Sequence, residues 1–276
     1  MSASAPIRAR RAYVDTPEGQ VHYRERGSGR PVLLLHQTAS SSVMWERAMA
    51  LLPRGIRAIA MDTPGFGGSD PPAELPAEGL AYYARRVAGF LDALELGAVP
   101  VAGHHTGAMV AAELAAGHPD RVRRLLLLGC VVVREAAERA ERIAQIDRWV
   151  ADARGDFVTG TLLPRMRLSV TTDDPEHMLT ELTAYLQAGP DYWWAYHGVW
   201  SYDAPARLPL IAVPTTCAAG ADEPAPLVQW TREAAALIPG AAHLELPGQG
   251  AELVMQAPAI AAALIERLLA DAGDER

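Results

Sequence analysis

Short apolar runs alternate with longer segments of helical character along most of this chain, and this alternation predicts its secondary structure. Because strands and helices take turns, the pattern predicts an α/β fold built on a mostly parallel, doubly wound sheet. The predicted strands are Arg8–Thr16, Gln20–Arg26, Pro31–His36, Arg57–Asp62, Val99–Gly103, Arg124–Val133, Leu210–Ala219 and Ala242–Leu246. The predicted helices are Ser42–Leu52, Leu80–Leu94, one that starts at Gly107, Pro226–Ile238 and Glu252–Leu269.

One long stretch interrupts the alternation. Between Arg134 and about Leu208 there is no strand pattern, but there are helical segments and a cluster of aromatic residues. The cluster comprises Tyr185, Tyr192, Trp193, Trp194, Tyr196 and Trp200. We therefore expect a core domain formed by residues 1–133 and 209–276, and a helical cap formed by residues 134–208 that lies over one edge of the sheet.

The segment Gly103-His104-His105-Thr106-Gly107 has the form of a nucleophile elbow, a sharp turn between a strand and a helix. A short apolar strand ends at the motif, and a helix closed by Gly117 and Pro119 follows it. Glycines on both sides permit a strained bend and close packing, so the side chain in the middle of the turn is presented to a pocket. That side chain is the imidazole of His105.

Composition excludes several classes of protein and chemistry. The chain has 276 residues, half of them hydrophobic, which is enough for a large core. Its net charge is −8 and its arginines are scattered, which argues against nucleic-acid binding. All 25 of its basic side chains are arginine, so a lysine Schiff base is excluded.

The sequence also predicts where the protein resides. No apolar window is long enough to span a membrane, and the first residues lack the apolar region of a signal peptide. Cys130 and Cys217 lie within apolar runs, which predicts buried reduced thiols. We therefore expect a cytoplasmic protein, either a monomer or a homodimer, whose partner is a small-molecule substrate.

These motifs resemble those of the α/β-hydrolase superfamily, and the resemblance covers nearly the whole chain. Beyond the elbow, residues 33–38 are similar to the loop that helps to form the oxyanion hole, and residues 61–70 are similar to the loop after the fourth strand. Residues 214–222 resemble the seventh strand with its acidic residue, and residues 246–251, with Pro258, resemble the loop that carries the catalytic histidine. The resemblance implies an eight-stranded sheet with the cap inserted after strand 6.

The catalytic triad is where the sequence departs from this family. The nucleophile, acid and histidine positions correspond to His105, Asp222 and Ala251, so two of the three residues are replaced. Without a nucleophile and its base, ordinary serine esterase chemistry is not expected. His105 is instead expected to exchange protons near neutral pH, with Asp222 holding its tautomer.

Further site residues follow from the resemblance and from the aromatic cluster. The amides of Thr106 and Gln37 are expected to form an oxyanion hole, and His197 is a candidate second acid or base. Candidate substrate contacts are His36, Thr38, Trp193, Trp194, Tyr196 and Trp200. His36 is equally compatible with hydrogen bonds that hold its loop, and His104 is expected to pack inward.

Three functional hypotheses remain open. The first is a cofactor-independent enzyme that uses His105 as acid or base on a small, largely apolar carbonyl compound, as a lyase, isomerase, cyclase or dehydratase. The second is a hydrolase in which His105 activates water or acts as the nucleophile, and the third is a non-catalytic binder. We expect no metal, because the histidine spacing is not a metal signature, and no nucleotide cofactor, because Gly65-Phe66-Gly67-Gly68 lacks the dinucleotide-binding spacing.

Overall fold

The computed structural model describes residues 8–150, 152–169 and 174–270, and its centre is an eight-stranded sheet. The strands are β1 (Arg10–Thr16), β2 (Gly19–Arg26), β3 (Arg30–Leu35), β4 (Ile56–Met61), β5 (Val99–His104), β6 (Val122–Leu128), β7 (Thr215–Gly220) and β8 (Ala242–Leu246). Their order across the sheet is β1-β2-β4-β3-β5-β6-β7-β8. β2 pairs antiparallel with both of its neighbours, and all other pairs are parallel. The predicted fold class is confirmed.

Helices cover both faces of this sheet, as alternate side chains of its strands require. In β3, Leu33 and Leu35 pack in one core with the helices α2, α3 and α9, whereas Val32 and Leu34 pack in the other with α1, α10 and α11. The helices are α1 (Glu46–Leu51), α2 (Leu80–Ala93), α3 (Thr106–Gly117), α4 (Ala136–Ala144), α5 (Leu163–Ser169), α6 (Pro175–Ala188), α7 (Trp193–Ser201), α8 (Ala204–Arg207), α9 (Ala225–Leu237), α10 (Leu253–Gln256) and α11 (Pro258–Ala270).

Among the predicted boundaries that differ from the structure, three have local reasons. β6 ends at Leu128 rather than Val133, because Gly129 adopts a φ of 70°. β7 begins at Thr215 rather than Leu210, directly after Pro214, which has no N–H to donate to a neighbouring strand. The final predicted helix is divided at Ala257, since the ring of Pro258 disfavours the helical conformation in the residue before it.

In the described residues between β6 and β7, the only regular secondary structure is helical. This stretch holds α4 to α8, and residues 134–150, 152–169 and 174–208 contain no strand. Residues 1–7, 151, 170–173 and 271–276 of the predicted core and cap lie outside the described residues, and the division into two domains stays a prediction. No helix in the described parts of the chain is both long enough and apolar enough to cross a membrane.

Candidate active site

The elbow motif forms the sharp turn that its glycines predicted. β5 ends at His104, α3 begins at Thr106, and His105 between them has a φ of 46°, a strained value for a residue other than glycine. A Cβ atom on Gly107 would overlap the backbone carbonyl of Leu35, and one on Gly103 would overlap the backbone of Gly107. Both positions therefore require glycine, and the resulting turn directs the imidazole of His105 to a cavity.

The imidazole of His105 pairs with a buried carboxylate. Its Nε2 atom lies 3.2 Å from Oε2 of Glu223, and the backbone N–H of Gly220 donates to the other carboxylate oxygen at 2.9 Å. The Glu223 side chain is 2% exposed and that of His105 is 20% exposed. When Nε2 donates to Glu223, the lone pair of the neutral ring lies on Nδ1. The pair therefore joins an imidazole to a carboxylate as a catalytic triad does, but with the roles of the two ring nitrogens exchanged.

A glycine beside the elbow provides the space that this imidazole occupies. Gly129 follows β6 directly with a φ of 70°. A Cβ atom at Gly129 would overlap Cδ2 of His105 and would lie 2.6 Å from its Nε2. The position of the ring thus depends on a residue of a neighbouring strand end, which the sequence motif did not reveal.

His104 packs behind the elbow. Its ring stacks on that of His105 with centroids 4.2 Å apart and planes inclined by 16°. It is fully buried, and neither ring nitrogen has a hydrogen-bond partner. Burial, together with repulsion from His105, holds the pKa of His104 well below its ordinary value. His104 is therefore a neutral packing residue at physiological pH.

The carboxylate that contacts His105 belongs to Glu223 rather than to Asp222. The Asp222 side chain is exposed and lines the cavity, while its backbone N–H donates to the carbonyl of Gln249 at 2.9 Å. The structure shows no hydrogen bond between Asp222 and the His105 ring. The two acids are adjacent in a tight turn, and only the path of the backbone decides which side chain turns inward.

The loop after β8 borders the same cavity but brings no imidazole to it. Ala251 lies in the cavity wall, at the position that the resemblance assigned to the catalytic histidine. The next residue, Glu252, is buried, and its two carboxylate oxygens accept hydrogen bonds from Nε2 of Gln37 at 3.3 and 3.0 Å. This loop therefore fixes the side chain of Gln37 instead of supplying a base.

The cavity has a volume of about 580 Å³, and its lining carries four carboxylates, one arginine and one histidine. The lining is therefore more highly charged than we expected for a site that binds a largely apolar substrate. Of the predicted site residues, His105, Asp222, Gln37, Thr38 and Tyr196 line it. Those that the sequence interpretation missed are Arg165, Met166, Glu181, Tyr185, Glu223, Pro224, Leu227, Gly250 and Glu252.

His36 lies behind the cavity wall and holds the loop that follows β3. The Thr63 N–H donates to His36 Nε2 at 3.0 Å, so Nδ1 carries the proton and donates to the carbonyl of Gln37 at 2.8 Å. Burial lowers the pKa of His36, against the attraction of Asp62. Of the two roles considered for His36, the structure favours the structural one, because both ring nitrogens are already bonded within the protein.

Most of the predicted cap residues do not reach the cavity. His197 borders a separate cavity between α2 and α7, and Trp193 packs under the guanidinium of Arg148, 4.3 Å from its ring centre. Trp200 packs edge-on against Trp230, with centroids 6.0 Å apart, and Trp194 does not line the His105 cavity either. In α7 only Tyr196 contributes to the cavity wall, since one face of a helix meets the core.

The roof of the cavity is held together by an arginine and two tyrosines. The Arg165 guanidinium lies 6.0 Å from the Tyr185 ring centre and 5.6 Å from that of Tyr196. The two phenol oxygens lie 3.4 Å apart, and the Tyr196 hydroxyl donates to the carbonyl of Thr38 at 2.8 Å. These contacts connect α5, α6 and α7 to the loop after β3. The sequence signal for them was the aromatic cluster, but it did not identify which members face inward.

An oxyanion hole stays a prediction with partial geometric support. Thr106 occupies the first position of α3, where a backbone N–H has no acceptor within the helix. Gln37 lies in the cavity wall, and its carbonyl accepts from the N–H of Ser40 at 2.9 Å.

The residues described include no group of three or more His, Cys, Asp or Glu side chains arranged to hold a metal ion.

The family model for the alpha/beta hydrolase fold matches residues 30–258. The chain belongs to this family. α/β-Hydrolase-fold proteins of known structure superimpose on nearly all of it. A thermophilic esterase from Thermogutta terrifontis is 23% identical, with a TM-score of 0.78 over 95% of this chain and 99% of the esterase. An enol-lactonase from Burkholderia xenovorans LB400 is 20% identical, with a TM-score of 0.73 over 94% and 100%. At these identities the likeness establishes the fold alone.

The curated α/β-hydrolase relatives are hydrolases, and their similarity covers part of the chain. A 2-hydroxy-6-oxo-2,4-heptadienoate hydrolase from Pseudomonas putida is 34% identical over 117 residues, which are 41% of this chain and 42% of the relative. An epoxide hydrolase from Caballeronia sordidicola is 33% identical over 130 residues, which are 46% and 40% of the two chains. This chain thus spans about two-fifths of the length of the curated relatives that it matches.

Proposed function

We propose that this chain is a hydrolase of a small, polar carbonyl compound such as an ester or lactone, and that His105 activates the attacking water. The observation that carries the proposal is the His105–Glu223 pair at the elbow, where an imidazole with a carboxylate partner borders a cavity large enough for a small molecule. The hydrolase names of the relatives support hydrolysis over the lyase and isomerase alternatives.

In the proposed reaction the His105–Glu223 pair, called the dyad below, acts as the general base. Nδ1 of His105 takes a proton from water, and Glu223 stabilises the imidazolium that forms, as the acid of a triad does. The resulting hydroxide attacks the carbonyl carbon, and the amide of Thr106 at the start of α3 stabilises the oxyanion. Because His105 replaces a serine, this route needs no acyl-enzyme intermediate, which distinguishes it from ordinary esterase chemistry.

A second candidate uses the same dyad without water. His105 would move a proton to or from a substrate carbon, as in an isomerase or lyase. The specific observation in its favour is that the nucleophile position of the elbow holds the acid–base group of His105 in place of a hydroxyl or thiol. Direct attack by the imidazole is a third route, and it requires a covalent acyl-histidine intermediate.

The test is turnover of a panel of p-nitrophenyl esters, alkyl esters and lactones by the natural protein and by His105→Ala. We expect the substitution to lower kcat by roughly 10²- to 10⁴-fold, the usual contribution of a positioned general base. In H₂¹⁸O, water activation puts one labelled oxygen into the acid product in a single turnover, and rapid quenching detects no acylated protein. Hydrolysis that survives His105→Ala would overturn the proposal.

His118→Ala is the matched control, because His118 lies at the opposite end of the helix that begins after His105. It should leave turnover unchanged. If no substrate of the panel is hydrolysed, exchange of substrate carbon-bound hydrogen in D₂O, dependent on His105, would move the assignment to the isomerase or lyase candidate.

A further inference from the structure

Two carboxylates outside the dyad, Glu181 and Glu252, border the same cavity as His105. Both are buried, with 4% and 8% of their surface exposed. The side-chain amide of Gln37 donates to both oxygens of Glu252. Two buried carboxylates in the wall of one cavity repel each other when both are ionised. The pair is therefore expected to retain one proton near neutral pH.

The surroundings favour Glu181 as the member that keeps this proton. Glu252 accepts hydrogen bonds from Gln37 on both oxygens, and Nε2 of His177 lies 3.7 Å from its Oε2. Glu181 accepts from Ser40 Oγ at 2.9 Å. Burial, followed by repulsion from Glu252, raises the pKa of Glu181 to about 7. The negative charge is thus better supported at Glu252.

His177 is a second, independent sign that this cluster has unmet hydrogen-bonding capacity. It is 1% exposed, and neither ring nitrogen has a hydrogen-bond partner although Nε2 faces Glu252. Buried polar atoms without partners are uncommon in native proteins, and here they lie beside the carboxylate of Glu252. The other charged or titratable residues in the wall of this cavity are His105, Arg165, Tyr185, Tyr196, Asp222 and Glu223.

We propose that Glu181 is the general acid of the reaction and donates its proton to the leaving oxygen of the substrate. This inference rests on the proposed hydrolase function, and it deepens that function by naming the second proton-transfer group. It also specifies the substrate class as esters or lactones of ordinary alcohols, since an alkoxide is a poor leaving group until it is protonated.

Water, His105 and Glu181 supply and accept all the protons of the proposed step, so no additional reagent is needed. His105 takes one proton from water, and the hydroxide forms a bond to the carbonyl carbon. The bond between that carbon and the leaving oxygen then breaks as the Oε–H of Glu181 passes its proton to that oxygen. The products are the acid and the alcohol, and the proton held by His105 returns to Glu181 through solvent.

The decisive experiment compares Glu181→Gln with the natural protein on two esters of the same acid, an ethyl ester and a p-nitrophenyl ester. Glutamine keeps the size of glutamate and its carbonyl oxygen for Ser40 but has no acidic proton. We expect kcat for the ethyl ester to fall by about 10²-fold or more, while the p-nitrophenyl ester, whose leaving group departs unprotonated, loses less than about threefold. Equal losses on both esters would overturn the proposal.

Glu252→Gln provides a readout that a purely structural role would not give. Removing the neighbouring negative charge favours ionisation of Glu181, so the alkaline limb of the kcat profile for the ethyl ester should move to lower pH. An unchanged limb, or a shift to higher pH, contradicts the assignment. Hydrolysis that survives His105→Ala would refute the proposed function, in which His105 activates water, whereas activity that depends on His105 but not on Glu181 would refute this inference alone.

Discussion

The elbow at His105 and the loop after β8 border one cavity, and they differ in which residue type each brings to it. In hydrolases of this fold that have a triad, the elbow carries the nucleophile and the last loop carries the histidine. Here the imidazole is on the elbow, with Glu223 as its partner, while the last loop presents Ala251 and turns Glu252 toward Gln37. The comparison teaches that the imidazole bordering this cavity stands at the nucleophile position of the elbow and not on the last loop.

Removing the carboxylate partner of His105 should have the largest effect. Glu223→Gln offers the ring an amide in place of a carboxylate, which no longer stabilises the imidazolium. We expect kcat to fall by on the order of 10²- to 10⁴-fold with little change in KM. Asp222→Asn, which alters the adjacent exposed acid, should cost at least tenfold less. A larger effect at Asp222 would restore the sequence-based pairing.

A methyl group at Gly107 would break the elbow itself. Its Cβ would overlap the backbone of Leu35 and His36, which cannot rotate away. We expect Gly107→Ala to lower the free energy of unfolding by about 1–3 kcal/mol, measured by urea denaturation. The matched control is Gly89→Ala in α2, where a Cβ meets nothing within 4 Å, and this change should raise stability by about 1 kcal/mol.

Gly129→Ala tests whether the space for the imidazole depends on the end of β6. Gly129 and Gly240 share a φ of 70°, but only at Gly129 would a Cβ overlap the His105 ring. Gly240→Ala should therefore show the conformational cost alone, about 1 kcal/mol. We expect Gly129→Ala to cost more stability than this and to lower turnover as well.

In a His105→Ala background the extra cost at Gly129 should disappear, with a coupling energy of about 1 kcal/mol or more in the double-mutant cycle. Strictly additive effects would show that the ring and Gly129 do not share this space.

The smallest expected effect at neutral pH concerns His104, whose ring stacks on that of His105. Its folded-state pKa is lowered, so the unfolded chain binds more protons below about pH 6.5. This residue therefore adds to stability above that pH and progressively less as the pH falls below it. His104→Phe keeps an aromatic ring for stacking and removes the titration.

Between pH 6.5 and 5 we expect the free energy of unfolding of His104→Phe to fall less steeply than that of the natural protein, by up to about 1.4 kcal/mol per pH unit. Parallel pH profiles would contradict the burial of a neutral His104. Urea denaturation at several pH values measures the difference.

The amino-acid pattern by itself determined the fold and the place of the His105 imidazole at the elbow. Apolar runs of strand length alternating with helices specify a parallel sheet covered on both faces. The pair Gly103 and Gly107 specifies the sharp turn, and therefore the exposure of His105. These features depend on neighbours in sequence and on backbone geometry, which a local pattern carries.

The tertiary structure decided which side chains meet His105 in the cavity. Glu223 rather than Asp222, Glu181 from the inserted helices and the space at Gly129 come from segments far apart in sequence. The selection of Tyr196 over Trp193, Trp194 and Trp200 depends on which face of α7 packs against the core. A shift by one residue in a turn, or the rotation of one helix about its axis, changes which side chains reach the cavity. Long-range packing fixes both the turn and the orientation of the helix.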